Sequence, residues 1–226
     1  MVRPTRTPVK SAGVERWATF DCYGTLVDWN AGIRAELARI FGRDAADEAL
    51  DDYHELEQEV EGDEPTLPYR EVMARVLERL GAPAAERGSL GESLPDWPVF
   101  SEVPAALTEA RARGWKLCIL SNTDRDLLDA SMAAIGVPFD RSIVASEIGS
   151  YKPAHGHWRT FEAKVGRLPD VHVAASLFHD IAPAEQLELP SIWINRLGEG
   201  AGALTPDRIL SDLGGLPEAL DELVPA

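Results

Sequence analysis

Short apolar runs alternate along this chain with segments of helical periodicity. Runs typical of strands occupy residues 17–20, 116–120, 142–145, 171–175 and 191–194. Helical patterns lie between them at residues 103–113, 125–135 and 157–165. Strands that alternate with helices predict a parallel sheet with helices on both faces. The pattern therefore predicts an α/β fold with a doubly wound parallel sheet.

Residues 31–98 interrupt this alternation. They contain helical patterns at residues 32–41, 45–60, 69–80 and 83–93 without a strand pattern, and Pro95 and Pro98 mark the return to alternation. A helical block inserted after the first strand is expected to cover the carboxyl ends of the strands. We therefore expect a flexible tail over residues 1–15, a core of residues 16–30 and 99–226, and a helical cap over residues 31–98.

Composition and charge limit the functional classes. The chain has 226 residues, of which 45% are hydrophobic, and a formal net charge of −16. Phosphate binding needs clustered Lys and Arg, so the acidic balance disfavours nucleic acid and anionic membranes. No apolar stretch approaches the roughly 20 residues that span a bilayer, and residues 1–15 lack a signal-peptide pattern. We expect a cytoplasmic enzyme that acts on a small molecule, with a homodimer as a candidate assembly.

The first strand ends in a carboxylate, Asp21, and Gly24 and Thr25 follow within a sharp turn. Ligands of open α/β sheets bind outside the carboxyl ends of the strands, where a carboxylate can act as a covalent nucleophile. Further polar groups follow the later strands, namely Ser121, Asn122, Lys152 and Asp180. A lysine can keep a nearby carboxylate ionised. Hydroxyl and amide groups can donate hydrogen bonds to a substrate carboxylate or phosphate.

These residues also resemble a known family. The string from Asp21 to Asp28, DCYGTLVD, resembles the first motif of the haloacid dehalogenase superfamily, and Tyr23 resembles its 2-haloacid dehalogenase branch. Ser121-Asn122, Lys152 and Asp180 stand in the places of the second, third and fourth motifs. The resemblance implies a Rossmann-like core with an inserted cap. It also implies a hydrolase with Asp21, Lys152 and Asp180 as catalytic residues and no cofactor.

Tyr23 bears on the reaction. Phosphatases of the superfamily usually carry at this position a second aspartate that protonates the leaving alkoxide, and such an acid contributes about 10²–10⁴-fold. Halide leaves without a proton. We therefore expect hydrolytic dehalogenation of a small 2-haloacid through an aspartyl ester. The alternatives are a Mg²⁺-dependent phosphatase, with the ion on Asp21 and Asp180, displacement of a nitrogen leaving group, and a non-catalytic binding protein.

The cap departs from the family pattern. The dehalogenases have a halide-binding arginine about thirty residues after the nucleophile, whereas residues 51–57 of this chain are rich in acids and contain no arginine. Helical spacing places Glu57 at the edge of an apolar face. We therefore expect Glu57 to reach the substrate, and Asp51 and Asp52 not to. The expected substrate-binding residues are Tyr23, Thr25, Glu57, Ser121, Asn122 and Trp158, the last in the place of a family tyrosine.

Overall fold

A single parallel sheet organises the protein, whose computed structural model describes residues 15–226. Its strands are β1 (Arg16–Phe20), β2 (Trp115–Ser121), β3 (Arg141–Val144), β4 (Val171–Ala174), β5 (Ser191–Ile194) and β6 (Arg208–Leu210). They pair in the order β3-β2-β1-β4-β5-β6, and every pair is parallel. This arrangement confirms the predicted Rossmann-like α/β class.

Strand β1 lies at the centre of the sheet. All five of its residues are buried, as expected of a parallel strand covered on both faces. Phe20, its last residue, is in register with Ile119 of β2 and Val173 of β4. The order of the strands reverses at β1, and such a point opens a crevice at the carboxyl ends. Asp21 therefore leaves the sheet at the position where ligands bind.

The segment between β1 and β2 begins with helices only. These are α1 (Trp29–Phe41), α2 (Ala46–Asp63), α3 (Tyr69–Arg79) and α4 (Ser89–Ser93). The single helix expected over residues 83–93 is wrong, because a 3-10 turn (Ala84–Glu86) precedes the short α4. Pro83 and Gly88 stand just before these two pieces, and both residue types disfavour a continuous helix. The limits of the cap at residues 31 and 98 remain a proposal.

The remaining helices pack around the sheet. They are α5 (Val103–Ala112), α6 (Arg125–Ile135), α7 (Ala145–Ile148), α8 (Gly156–Val165), α9 (Ala182–Gln186) and α10 (Leu216–Leu223). Strand β6 and the helices α7, α9 and α10 were not predicted. The tail expected over residues 1–15 lies, except for Glu15, outside the described residues. No helix within residues 15–226 is both long and apolar enough to cross a membrane.

The helical insert leaves and rejoins the core at adjacent positions. Val27 and Val99 form an antiparallel bridge, and Asp28 N donates to the Pro98 carbonyl at 2.7 Å. The Asp28 carboxylate accepts a hydrogen bond from Ala31 N at 3.0 Å and caps α1. The two connections therefore lie side by side.

The insert is also held to the core at its far side. Asp124, just before α6, accepts hydrogen bonds from Tyr69 N at 3.1 Å and Arg70 N at 3.0 Å, the first two amides of α3. Tyr151 OH donates to the Leu67 carbonyl at 2.6 Å. A core carboxylate thus satisfies the amino end of a helix of the insert.

Candidate active site

A cavity of about 210 Å³ lies between the carboxyl ends of the central strands and helices α2 and α3. Lys152 forms the centre of its core side. Its Nζ donates to Asp21 Oδ1 at 2.8 Å, to Asp180 Oδ1 at 2.7 Å and to the Leu120 carbonyl at 3.0 Å. Only 2% of Lys152 is exposed. One buried cation therefore bridges two carboxylates that come from different strand ends.

The charges of Asp21, Lys152 and Asp180 influence one another's protonation. Burial opposes ionisation of Asp180, but Lys152 and a hydrogen bond from His172 together hold the pKa of Asp180 well below its usual range. Burial raises the pKa of Asp21, against the opposing effect of Lys152. Burial would also lower the pKa of Lys152, but the two carboxylates reverse this and raise it. Lys152 therefore stays charged.

A buried network orients Asp180. The residue lies in a π-helical turn (Leu177–Ile181) whose start is capped by Ser176 Oγ, which accepts from His179 N at 3.0 Å. His172 Nε2 lies 2.9 Å from Asp180 Oδ1, and Thr19 Oγ1 lies 2.9 Å from His172 Nδ1. Sequence reasoning missed His172. In the sequence, His172 is the one polar residue inside the apolar run of β4, and this pattern could have identified it.

Thr25 does not take its expected position in the substrate pocket. Its Oγ1 donates to Asp21 Oδ2 at 2.8 Å and accepts from Ala175 N at 2.9 Å. The side chain is fully buried. The hydroxyl is thus used within the protein, where it fixes the carboxylate of Asp21. Gly24, with φ +84°, makes the turn that permits this contact.

Ser121 and Asn122 both line the cavity. Asn122 exchanges two hydrogen bonds with the backbone of Lys152, at 2.7 and 3.0 Å, and so positions the loop that carries the lysine. Ser121 Oγ is buried and has no hydrogen-bond partner among residues 15–226. A buried hydroxyl without a partner costs free energy, so Ser121 is available to a ligand.

Of the two aromatic residues expected to contact the substrate, Tyr23 lies at the cavity and Trp158 does not. Tyr23 lines the cavity, and its hydroxyl lies 3.0 Å from Ser131 Oγ. Trp158, expected to contact substrate, does not line the cavity. It is fully buried in α8, with its ring 5.2 Å from the His172 ring and in an apolar cluster with Phe161. Helix α8 faces the sheet at this position, so Trp158 supports His172 instead.

The cap side of the cavity is acidic. Glu57 is 5% exposed, and its Oε1 accepts hydrogen bonds from Tyr69 OH at 2.7 Å and Tyr53 OH at 3.1 Å. Burial raises the pKa of Glu57 to about 7. Glu61, one turn later, also lines the cavity, and burial raises its pKa well above the usual range. Sequence reasoning identified Glu57 and missed Glu61.

The other charged residues of the cap point elsewhere. Asp51 and Asp52 are exposed. Arg70 pairs with Asp126 at 2.6 Å and is about half exposed at 46%. None of the described residues that line the cavity is an arginine. The described part of the cap therefore offers no guanidinium to an anion inside the cavity.

Replacing Glu57 with glutamine should stabilise the fold near neutral pH. The pKa of Glu57 rises from 4.5 to about 7 on folding. Well below pH 4.5 the Glu57 carboxyl is protonated in both the folded and the unfolded protein. As pH rises from 4.5 through 7, the unfolded chain loses this proton first, so the free energy of unfolding falls. The full cost is about 3 kcal/mol. Glutamine avoids this cost and keeps an oxygen for Tyr53 and Tyr69.

Chemical denaturation at about pH 5 and about pH 8 measures this effect. Relative to the native protein, the variant should be more stable by about 3 kcal/mol at the higher pH and by about 1 kcal/mol or less at the lower pH. Asp52→Asn on the same helix is the matched control, because Asp52 is exposed. An equal difference between Glu57→Gln and the native protein at both pH values would contradict the assignment.

The fold and site define a class of protein. The chain belongs to the haloacid dehalogenase-like hydrolase family, whose model matches residues 16–175. It is therefore a hydrolase, and the resemblance noted in its motifs is confirmed.

Two characterised proteins are similar to this chain in sequence. The chain is 31% identical to an (S)-2-haloacid dehalogenase of Pseudomonas sp. (strain YL) over 145 residues, which cover 61% of this chain and 62% of that protein. It is 27% identical to a phosphoserine phosphatase of Thermus thermophilus over 156 residues, 65% of this chain and 63% of that protein. The matched parts are thus less than two thirds of each relative.

Solved structures share the fold over most of the chain. The L-2-haloacid dehalogenase from Xanthobacter autotrophicus superposes with a TM-score of 0.76 at 19% identity, covering 92% of this chain and 98% of that one. A second L-2-haloacid dehalogenase gives a TM-score of 0.79 at 21% identity, with coverage of 92% and 99%. At these identities the likeness concerns the fold.

Proposed function

We propose that this hydrolase attacks a small carboxylic acid at carbon with Asp21 and forms an aspartyl ester. A 2-haloacid is the substrate class that its dehalogenase relatives favour. The observation that carries the proposal is the bridge from Lys152 Nζ to Asp21 and Asp180. It holds a carboxylate at the switch point of the sheet beside a fixed positive charge.

The first step displaces the leaving group. An Asp21 oxygen forms a bond to C2 of the substrate, and the halide departs with the electron pair of the carbon–halogen bond. Lys152 and Thr25 each hydrogen-bond one carboxylate oxygen of Asp21, which fixes its orientation. Holding the nucleophile and the bound substrate in the reacting geometry contributes much of the rate enhancement of such a displacement.

The second step hydrolyses the ester. Water attacks the carbonyl carbon of Asp21, and the bond from that carbon to the substrate oxygen breaks. One proton of the water passes to the departing oxygen, which gives the 2-hydroxyacid, the other is released to solvent, and the Asp21 carboxylate is regenerated. Asp180 Oδ2 is buried and lacks a hydrogen-bond partner among residues 15–226. We assign it to the attacking water, while Oδ1 remains on Lys152. Ser121, whose hydroxyl is unpaired, is assigned to the substrate carboxylate.

A Mg²⁺-dependent phosphatase is the second candidate, favoured by the likeness to a phosphoserine phosphatase. The ion would bind Asp21, Asp180 and the carbonyl of Tyr23. Two features weigh against it. Lys152 Nζ already lies between the Oδ1 atoms of both carboxylates, and Tyr23 stands where an acid would protonate a departing alkoxide.

Chelation separates the two candidates. Because Lys152 supplies the positive charge, we expect EDTA to leave turnover unchanged. The measurement is halide release from 2-chloropropionate beside phosphate release from phosphoserine, each with EDTA and with Mg²⁺. Loss of activity on chelation that Mg²⁺ restores would move the assignment to the phosphatase.

A further inference from the structure

The cap side of the cavity has a composition that the proposed displacement does not use. It includes two acids of α2, Glu57 and Glu61, the amide of Gln58, and the aromatic side chains of Trp29, His54 and Tyr69. Lys152 is the one lysine or arginine among the described residues that line the cavity, and Asp21 and Asp180 already pair with it. An anion on the cap side would therefore meet only negative or neutral groups.

The aromatic groups are held in fixed orientations. The Trp29 ring stacks on His54 with 4.8 Å between centroids and an angle of 11°, and its Nε1 donates to Tyr69 OH at 3.2 Å. The Tyr69 ring is nearly parallel to that of Tyr23, with centroids 6.5 Å apart. Aromatic faces attract cations within about 6 Å of the ring centroid.

The acids are also fixed in place. The hydroxyls of Tyr53 and Tyr69 both donate to one oxygen of Glu57, Oε1. Glu61 Oε2 accepts a hydrogen bond from Asn122 Nδ2 at 3.4 Å, so it reaches the core side of the cavity. Ser121 gives an independent sign of a ligand, because its fully buried hydroxyl in the wall of the same cavity has no partner.

We propose that Glu57, Glu61 and the rings of Trp29 and Tyr69 bind an ammonium group of the substrate. The inference rests on the proposed function and names its substrate class. Charge-assisted hydrogen bonds to carboxylates and cation–π contacts are the two interactions that recognise such a group. The substrate is then a small zwitterion, with its ammonium at the cap and its carboxylate at Ser121.

The protonation of the acids agrees with this assignment. Burial raises the pKa of both Glu57 and Glu61, because it removes their charges from water. A bound ammonium would offset the burial of their charge and favour the ionised form.

Binding of simple ammonium compounds tests the proposal without turnover. Choline and its uncharged isostere 3,3-dimethyl-1-butanol have nearly the same shape, and ethanolamine adds N–H donors. We expect calorimetry to show choline or ethanolamine binding at least about tenfold more tightly than the isostere. Equal affinities, or no binding of either ammonium compound at millimolar concentrations, would overturn the proposal.

Variants assign the effect to the cap. Glu57→Gln and Glu61→Gln should each weaken ammonium binding by about tenfold or more and leave the affinity for the isostere unchanged. Asp52→Asn makes the same change of charge on the exposed face of α2 and should have no effect. Unchanged ammonium binding in both glutamine variants would contradict the assignment of the acids.

The same measurements in Asp21→Asn separate this inference from the proposed function. The variant should still bind choline or ethanolamine more tightly than the isostere, because Glu57 and Glu61 are unchanged. If Asp21→Asn keeps its turnover, the aspartyl-ester scheme fails and the ammonium site stands. If the ester forms but ammonium compounds do not bind, the ammonium site alone fails.

Discussion

Replacing Asp21 with asparagine should abolish turnover and leave the fold intact. The amide is a poor nucleophile, so the ester cannot form, and the loss should be about 10⁴-fold or more. Asn keeps an oxygen that can accept from Lys152 Nζ, which lies 2.8 Å from Asp21 Oδ1. The hydroxyl of Thr25 can rotate to accept from the new amide. The variant should therefore unfold close to the temperature of the native protein.

A single turnover in ¹⁸O water gives the direct measurement. The label should appear in the carboxylate of Asp21, because water attacks its carbonyl carbon and not the substrate. The peptide that contains Asp21 would be analysed by mass spectrometry, with Asp28 in the same peptide as the internal control. Label found only in the product of that first turnover would show direct attack by water.

Replacing Lys152 with methionine should have the largest effect on stability. Asp21 and Asp180 would then lie buried without their shared counter-charge, and removal of one partner from a buried ion pair costs about 3–5 kcal/mol. Turnover should be lost as well. The deficit should shrink as pH falls, because the uncompensated carboxylates take up protons more readily in the folded state than in the unfolded chain.

Chemical denaturation of Lys152→Met at neutral and acidic pH measures this deficit. Lys116→Met is the matched control, because Lys116 pairs with Asp140 at 3.0 Å but its side chain is 39% exposed. Exposed pairs of this kind contribute about 1 kcal/mol or less. A Lys152→Met variant as stable as Lys116→Met would show that the bridge does not hold the core together.

Local periodicity was enough to predict most of the fold. The central strands were predicted because parallel strands covered on both faces are apolar throughout. The strand Arg208–Leu210 was not predicted, because its two exposed residues and one half-buried residue are too few to show a periodicity. Its pairing with β5 defines it. The single helix expected over residues 83–93 was wrong, because Gly88 lies between the 3-10 turn and α4 and disfavours a continuous helix.

The sequence predicted those site residues whose surroundings follow from their place after a strand. Asp21, Lys152 and Asp180 follow strand ends, and parallel strand ends meet at one edge of a sheet. Thr25 and Trp158 depended on partners distant in the sequence. Thr25 is satisfied by Ala175 N, and Trp158 packs on His172. No local pattern in the sequence reports such contacts.

The contact between Asp124 and the amino end of α3 has a kinetic consequence. Any movement of the helical insert away from the core exchanges the bonds of Asp124 to Tyr69 N and Arg70 N for bonds to water. Minor conformations that lie a few kcal/mol above the ground state are about 0.1–10% populated. A conformation with the insert displaced would therefore be a minor one, and the rate at which it forms would depend on breaking these two bonds.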